Sequence, residues 1–360
     1  MKNKSAIQFK SLIFIMLLAV LFAAGWGWWL QPSPYLNGTD PLDPAKLSYQ
    51  REAFIEALSG NREAQEKFLR FRQKQGAFID FEKLEYSSQE TPGPSVFAQS
   101  YAAASICLAL CKSGQLMAVP SHIRRKAPWH NQTLLKSISY TTEDVDAELL
   151  YKIAPERCIA SHFSSPSALE RFSVLGLRTL ILPAPNHIEA LETSIEQTAD
   201  FIERKIEGRW LLTTFKQSLQ WLESQLPSHE EIEQDVLIIE LYKQMSLPSH
   251  KQLYMKWLYP KIIGKEELTS PWSTPIDYET LYTLKPKLII LLCENIEQSK
   301  KQLAQDLKWQ NLIQETGVKY TLVSLECVNS PSQIFAIGLY DLAAALQCLR
   351  ALDLPKSPSL

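Results

Sequence analysis

Six ring-bearing residues fall in short polar stretches: His122, Trp129, His130, His162, Phe163 and Trp272. Imidazoles suit a metal centre, and aromatic faces suit a large flat ligand. Arg124, Arg125 and Lys126 add cations that would pair with carboxylates. Glu294 and Asn329 follow two later apolar runs. Each residue alone has a plainer reading. A loop histidine is commonly solvated, Trp272 could pack on its own lobe, and the basic run could be a solvated face. Grouped at the ends of apolar runs, they argue for binding.

Covalent chemistry has little support. No nucleophile elbow, Walker loop, dinucleotide-type glycine loop or HExxH occurs. Glycine is 12 of 360 residues, so phosphate-cradling loops are scarce. His229-Glu230 lacks a second histidine at zinc-binding spacing. The cysteines (Cys107, Cys111, Cys158, Cys293, Cys327, Cys348) form no CxxC pair and read as small buried apolar residues. The expectation is no enzyme and no covalently bound cofactor.

An internal repeat supplies the elements that would position these residues. Asp146-x-Glu148-x-Leu150-Tyr151-x-Ile153-x-Pro155 matches Asp277-x-Glu279-x-Leu281-Tyr282-x-Leu284-x-Pro286. In both, Asp caps a short helix, Glu faces the positive helix end, and Pro stops it. An apolar run follows, Cys158 to Ala160 or Leu288 to Leu292, suited to a buried parallel strand. A helix and a second strand come next: 167–175 then 176–182, and 298–315 then 317–323. Each half is therefore a βαβ unit. Between them Ile188, Leu191, Ile195, Ile202 and Ile206, then Leu212, Phe215, Leu219, Leu222 and Leu226, keep helical spacing, interrupted by Gly208. The reading is α/β: two Rossmann-like lobes with parallel sheets, joined by a long interlobe helix. The first strand of the second lobe is faint, at 235–241. Ligands bind beyond the carboxyl ends of strands, which selects loops 120–130, 161–165, 294–295 and 326–330, with 270–275 facing the same cleft.

From about Ser95 to Arg350 the chain resembles the helical-backbone class of periplasmic binding proteins, which serve importers of vitamin B12, iron–siderophores and haem. The segments that carry the resemblance are Ala98 to Val119, Glu148 to Pro155, Leu169 to Leu182, Glu279 to Ile290, and Asn329-Ser-Pro-Ser332 with Ala336 to Leu346. Departures are Glu156 and Lys287 where Asp usually follows Pro, Thr91-Pro-Gly-Pro94 where a clean strand is usual, and no lipid-bearing cysteine. The resemblance implies capture of a metal chelate (iron–siderophore, haem or cobalamin) and delivery to an ABC permease, with Glu148 and Glu279 meeting arginines on that permease. It also leaves open a membrane-tethered structural relative without a ligand, and a metal-dependent enzyme on a similar scaffold.

Lys2, Lys4 and Lys10 precede the apolar stretch 11–30, and no acidic residue comes before Asp40. Twenty such residues suffice to cross a bilayer core, with the lysines inside and the rest of the chain outside. An N-terminal transmembrane anchor at 11–30 is favoured. A signal peptide cleaved near Ala23-Ala24-Gly25 is the alternative. The location would be periplasmic or extracytoplasmic. A formal charge of −2 gives no reason to expect nucleic acid. The domains read as 1–30 anchor or signal, 31–90 linker and helical extension with a Phe54, Leu58, Phe68, Phe71 stripe, 91–186 first lobe, 187–227 interlobe region and 228–360 second lobe.

Overall fold

The computed structural model describes residues 40–84, 93–125, 128–142, 147–227, 236–242, 244–249, 251–262 and 273–352. The proposed anchor at 11–30, the cap Asp146 and the ring of Trp272 lie outside the described residues. Among the described residues no helix is long and apolar enough to cross a membrane.

Among the described residues three helices come first: α1 (Arg51–Leu58), α2 (Arg62–Lys74) and α3 (Phe81–Leu84). The first sheet holds β1 (Val96–Ala98), β2 (Leu116–Pro120), β3 (Tyr140–Thr142), β4 (Arg157–Ser161) and β5 (Arg178–Leu182). All its pairings are parallel, in the order β3-β2-β1-β4-β5. Its crossovers are α4 (Tyr101–Leu110), α5 (Ser121–Arg125), α6 (Gln132–Ser137), α7 (Ala147–Ile153) and α8 (Pro166–Val174). β1 and the Cys158–Ala160 centre of β4 are short buried apolar runs, as burial on both faces demands.

The interlobe region is a hairpin of α9 (Ile188–Phe201) and α10 (Lys205–Gln225) rather than one long helix. The turn falls at 202–204, where Glu203 takes a positive φ of 59°. Gly208, expected to interrupt the helix, lies inside α10, where a side-chain carbon would collide with Ala199 of α9. The glycine lets two helices touch; it does not end one. At 21 residues, α10 is about 31 Å long.

The second sheet holds β6 (Val236–Leu241), β7 (Met245–Leu247), β8 (Thr274–Pro275), β9 (Leu288–Cys293) and β10 (Lys319–Ser324), in the order β10-β9-β6-β7-β8. Here the expectation of parallel sheets needs correction. β10, β9 and β6 are parallel, but β7 and β8 run antiparallel, so the sheet is mixed. β7 begins only four residues after β6 ends, too close in sequence for the crossover that parallel strands need. The helices are α11 (Leu253–Ile262), α12 (Tyr278–Leu284), α13 (Ile296–Gln305), α14 (Leu307–Thr316), α15 (Leu325–Val328) and α16 (Phe335–Leu352). The single helix expected over 298–315 is two, split at Asp306. That carboxylate accepts from the Lys308 and Trp309 N–H groups at 2.9 and 3.2 Å and starts α14.

The repeat units fall in different lobes, α7–β4 in the first sheet and α12–β9 in the second. Asp277 caps α12, accepting from the Thr280 N–H at 2.8 Å. Both helices stop on a left-handed residue before proline: Ala154 at φ 38° and Lys285 at φ 47°. That conformation is costly for an L-residue with a side chain, so its recurrence at matching positions extends the repeat to the backbone.

The lobes share one apolar core. Residues 102–110 of α4 are buried throughout, and α4, α10 and α16 belong to one continuous cluster with residues of both sheets. Gln333, in the loop before α16, donates from Nε2 to the Ser105 carbonyl of α4 at 2.9 Å. The apolar stripe of α1 and α2 closes this core from outside: Phe54 and Phe68 pack against Trp221 of α10. All six cysteines are buried and unbridged.

Candidate ligand-binding cleft

The polypeptide leaves β1 at Ala98 and turns into α4, whose N-cap Ser100 accepts from the Ala103 N–H. Tyr101 therefore sits at a strand's carboxyl end. Its ring stacks on His122 (centroids 5.7 Å, planes 20° apart) and meets His130 edge-on (5.9 Å, 64°). His122 lies on α5, directly after β2. Three aromatic or imidazole rings from the β1 and β2 ends thus form one patch.

The second lobe meets this patch. β10 ends at Ser324 and runs through α15 to Ser330. Burial raises the Tyr101 hydroxyl well above the ordinary phenol range, and the Glu326 carboxylate adds to the effect, while the nearby Ser105 and Ser330 hydroxyls oppose it. The phenol stays protonated at neutral pH. His130 is 4% exposed and neither ring nitrogen has a hydrogen-bond partner. Burial pushes its pKa down to about 4, so it is neutral at pH 7 with one donor and one acceptor to offer. The seam between the lobes is therefore a polar, uncharged patch of phenol, imidazole and hydroxyls beside one carboxylate.

The other predicted residues divide into three groups. His162 and Phe163 follow β4; both are exposed, Phe163 at 81%, and their rings touch with centroids 3.7 Å apart. Their loop is tied to the β1 end by Ser164, whose hydroxyl donates to the Gln99 side chain at 2.7 Å. Glu294 and Asn329 are exposed after β9 and α15. By contrast, the Arg124 guanidinium donates to the Ile138 carbonyl, and Trp129 packs half-buried on the main core, so both serve their own lobe's structure. Glu148 and Glu279 are exposed in the first turns of α7 and α12, the matching helices of the two lobes. Beside the cleft-side end of β6, Glu240 is buried and accepts from Tyr254 (2.9 Å) and Ser273 (3.3 Å).

Glu326 and Ser330 bound the loop 326–330 selected from sequence, while Tyr101 was not singled out. The carboxyl-end rule would have selected Tyr101 had the three-residue strand β1 been located. Among the described residues, no three His, Cys, Asp or Glu side chains converge to hold a metal ion.

Two α/β lobes joined by packed helices, with strand ends meeting at a seam, define the fold of the periplasmic binding proteins of the helical-backbone class. Solved structures with this fold include the apo form of the periplasmic heme-binding protein RhuT from Roseiflexus sp. RS-1 (TM-score 0.55, 12% identity, covering 71% of this chain and 99% of that one). A periplasmic heme binding protein from Pseudomonas aeruginosa aligns with TM-score 0.53 and 17% identity over 71% and 92% of the two chains. The periplasmic vitamin B12 binding protein BtuF of Vibrio cholerae aligns with TM-score 0.51 and 14% identity over 72% and 98%. No protein-family model matches the chain, and no curated protein matches it.

Proposed function

We propose that the protein is an extracytoplasmic solute-binding protein that captures a metal chelate in the interlobe cleft and hands it to an ABC permease. The carrying observation is that Tyr101, whose ring packs with His122 and His130 at the strand ends of one lobe, lies beside Glu326 and Ser330 of the other. The fold is shared with periplasmic heme-binding and vitamin B12-binding proteins. Ring faces would hold the flat part of an iron–siderophore, haem or cobalamin, with His162 and Phe163 at the rim. Exposed Glu148 and Glu279, one per lobe, would meet cations on the permease and set its orientation. Residues 11–30 would hold the protein at the outer face of the inner membrane, or direct its export if cleaved.

The test is thermal shift of the purified chain against haem, cobalamin and a set of ferric siderophores. Stabilisation by one class, saturating at one equivalent, supports the proposal. A flat response across the panel removes it. That outcome favours a second reading, a membrane-tethered structural or interaction protein on the same fold. One observation favours it already: the lobes share a continuous apolar core that the N-terminal helices close from outside.

A further inference from the structure

Residues 40–84 touch the second lobe, the interlobe helix and the first lobe in turn. At the start, the Leu42 N–H donates to the Tyr320 carbonyl (2.7 Å), and the Thr321 hydroxyl donates to the Leu42 carbonyl (3.0 Å), along the outer edge of β10. The Ala45 N–H donates to Ala344 of α16 (3.1 Å), and the Tyr340 hydroxyl donates to the Tyr49 carbonyl (2.7 Å). Arg51 then grips Asp341 of α16 through two bonds of 2.6 and 2.8 Å. All of these fix the segment to the second lobe.

The middle of the segment lies on α10. Tyr49, Phe54, Phe68 and Phe71 each pack against Trp221, at centroid distances of 5.6 to 6.3 Å. The far end reaches the first lobe. Gly60, at φ 92°, sits so close to Ala109 at the end of α4 that a side-chain carbon would strike the Ala109 carbonyl. Finally, α3 is held by Trp210 of α10, whose Nε1 donates to the Leu84 carbonyl at 2.7 Å, while Arg209 donates to the Lys83 carbonyl at 3.0 Å.

We infer that residues 40–84 are a staple that fixes the angle between the lobes, so that opening of the cleft requires this segment to undock. The argument is geometric. Rotation of one lobe against the other moves Tyr320 and Asp341 relative to Ala109. A segment bonded at one end and close-packed at the other cannot follow both. Packed interfaces switch between arrangements; they do not stretch. The RhuT and BtuF structures are matched over 98–99% of their length by 71–72% of this chain, so the shared fold leaves more than a quarter of this chain outside it. The staple sets the mobility of the cleft, and the inference holds whatever the cleft binds.

The experiment measures the interlobe distance without any ligand. Spin labels go on cysteines introduced at two exposed positions, Glu170→Cys on α8 and Lys300→Cys on α13, the six native cysteines being buried. Pulsed electron resonance on the full chain should give one narrow distance distribution. Gly60→Val, which pushes the segment off Ala109 and leaves its bonds to β10 and α16 in place, should broaden that distribution and add longer distances. An unchanged, narrow distribution in Gly60→Val overturns the inference. Should Gly60→Val not fold, amide exchange on the native chain decides. Amides of α1 and α2 should be protected as well as those of α4; free exchange in α1 and α2 with α4 still protected overturns it.

Discussion

Burying a histidine with no ion partner links stability to pH, and His130 gives the size of the effect. Its pKa is about 4 in the folded chain, against an ordinary 6.5, because burial penalises the cation. The unfolded chain therefore binds the extra proton between pH 6.5 and 4, and stability rises with pH across that window. The contribution is complete above pH 6.5 and is lost progressively as pH falls towards 4. A gap of about 2.5 pH units corresponds to ~3 kcal/mol in full, and ~2 kcal/mol is already lost at pH 5. His130→Leu cannot take up the proton and should lack this component. The assay is urea unfolding of wild type and His130→Leu at pH 7 and pH 5, with the His130 ring proton followed by NMR. The predicted result is a free-energy drop between the two pH values that is ~2 kcal/mol larger in wild type. Equal drops, or an NMR titration near 6.5, would refute the burial argument.

Other outcomes follow from the same packing. Phe68→Ala empties the centre of the ring cluster around Trp221 and should cost ~3–5 kcal/mol by denaturant melting. Asp341→Ala leaves Arg51 without its carboxylate partner. It should destabilise by less than the ~3–5 kcal/mol of a fully buried pair, since the Arg51 side chain is 37% exposed. The apolar pair Arg51→Met with Asp341→Leu should recover most of that loss. Reversing charge at both Glu148 and Glu279 should leave chelate affinity unchanged and abolish uptake in cells; unchanged uptake would remove their docking role.

Much of the architecture was legible because it is written twice. The Asp-x-Glu-x-Leu-Tyr spacing followed by Pro carries its own cap, inner face and stop, so both helix–strand steps could be read and assigned to separate lobes. What escaped had physical causes. β1 has only three residues and follows a Pro-rich approach, so Tyr101 was not seen to stand at a strand end. The β6–β7 hairpin turns on a few polar residues that give no signal for strand direction. Asp306 looked like a polar position within one helix, although an aspartate between two apolar-periodic stretches is also a cap. Gly208 looked like a breaker because its close partner, Ala199, is brought to it by the fold. The phenylalanine stripe announced a buried face on α1 and α2, but nothing local named Trp221 and Tyr340 as what covers it. Among the candidate site residues, type did not separate Arg124, spent on the Ile138 carbonyl, from His122, stacked in the ring patch.

Equilibrium dialysis of the purified chain against coloured chelates, comparing wild type with a His122→Ala, His162→Ala double variant, bears most directly on capture in the seam. Retention of one chelate per wild-type chain, with affinity at least ~10-fold weaker in the variant, a loss of about 1.4 kcal/mol, is the predicted result. Retention of none by the wild type, or equal retention by both proteins, would contradict it.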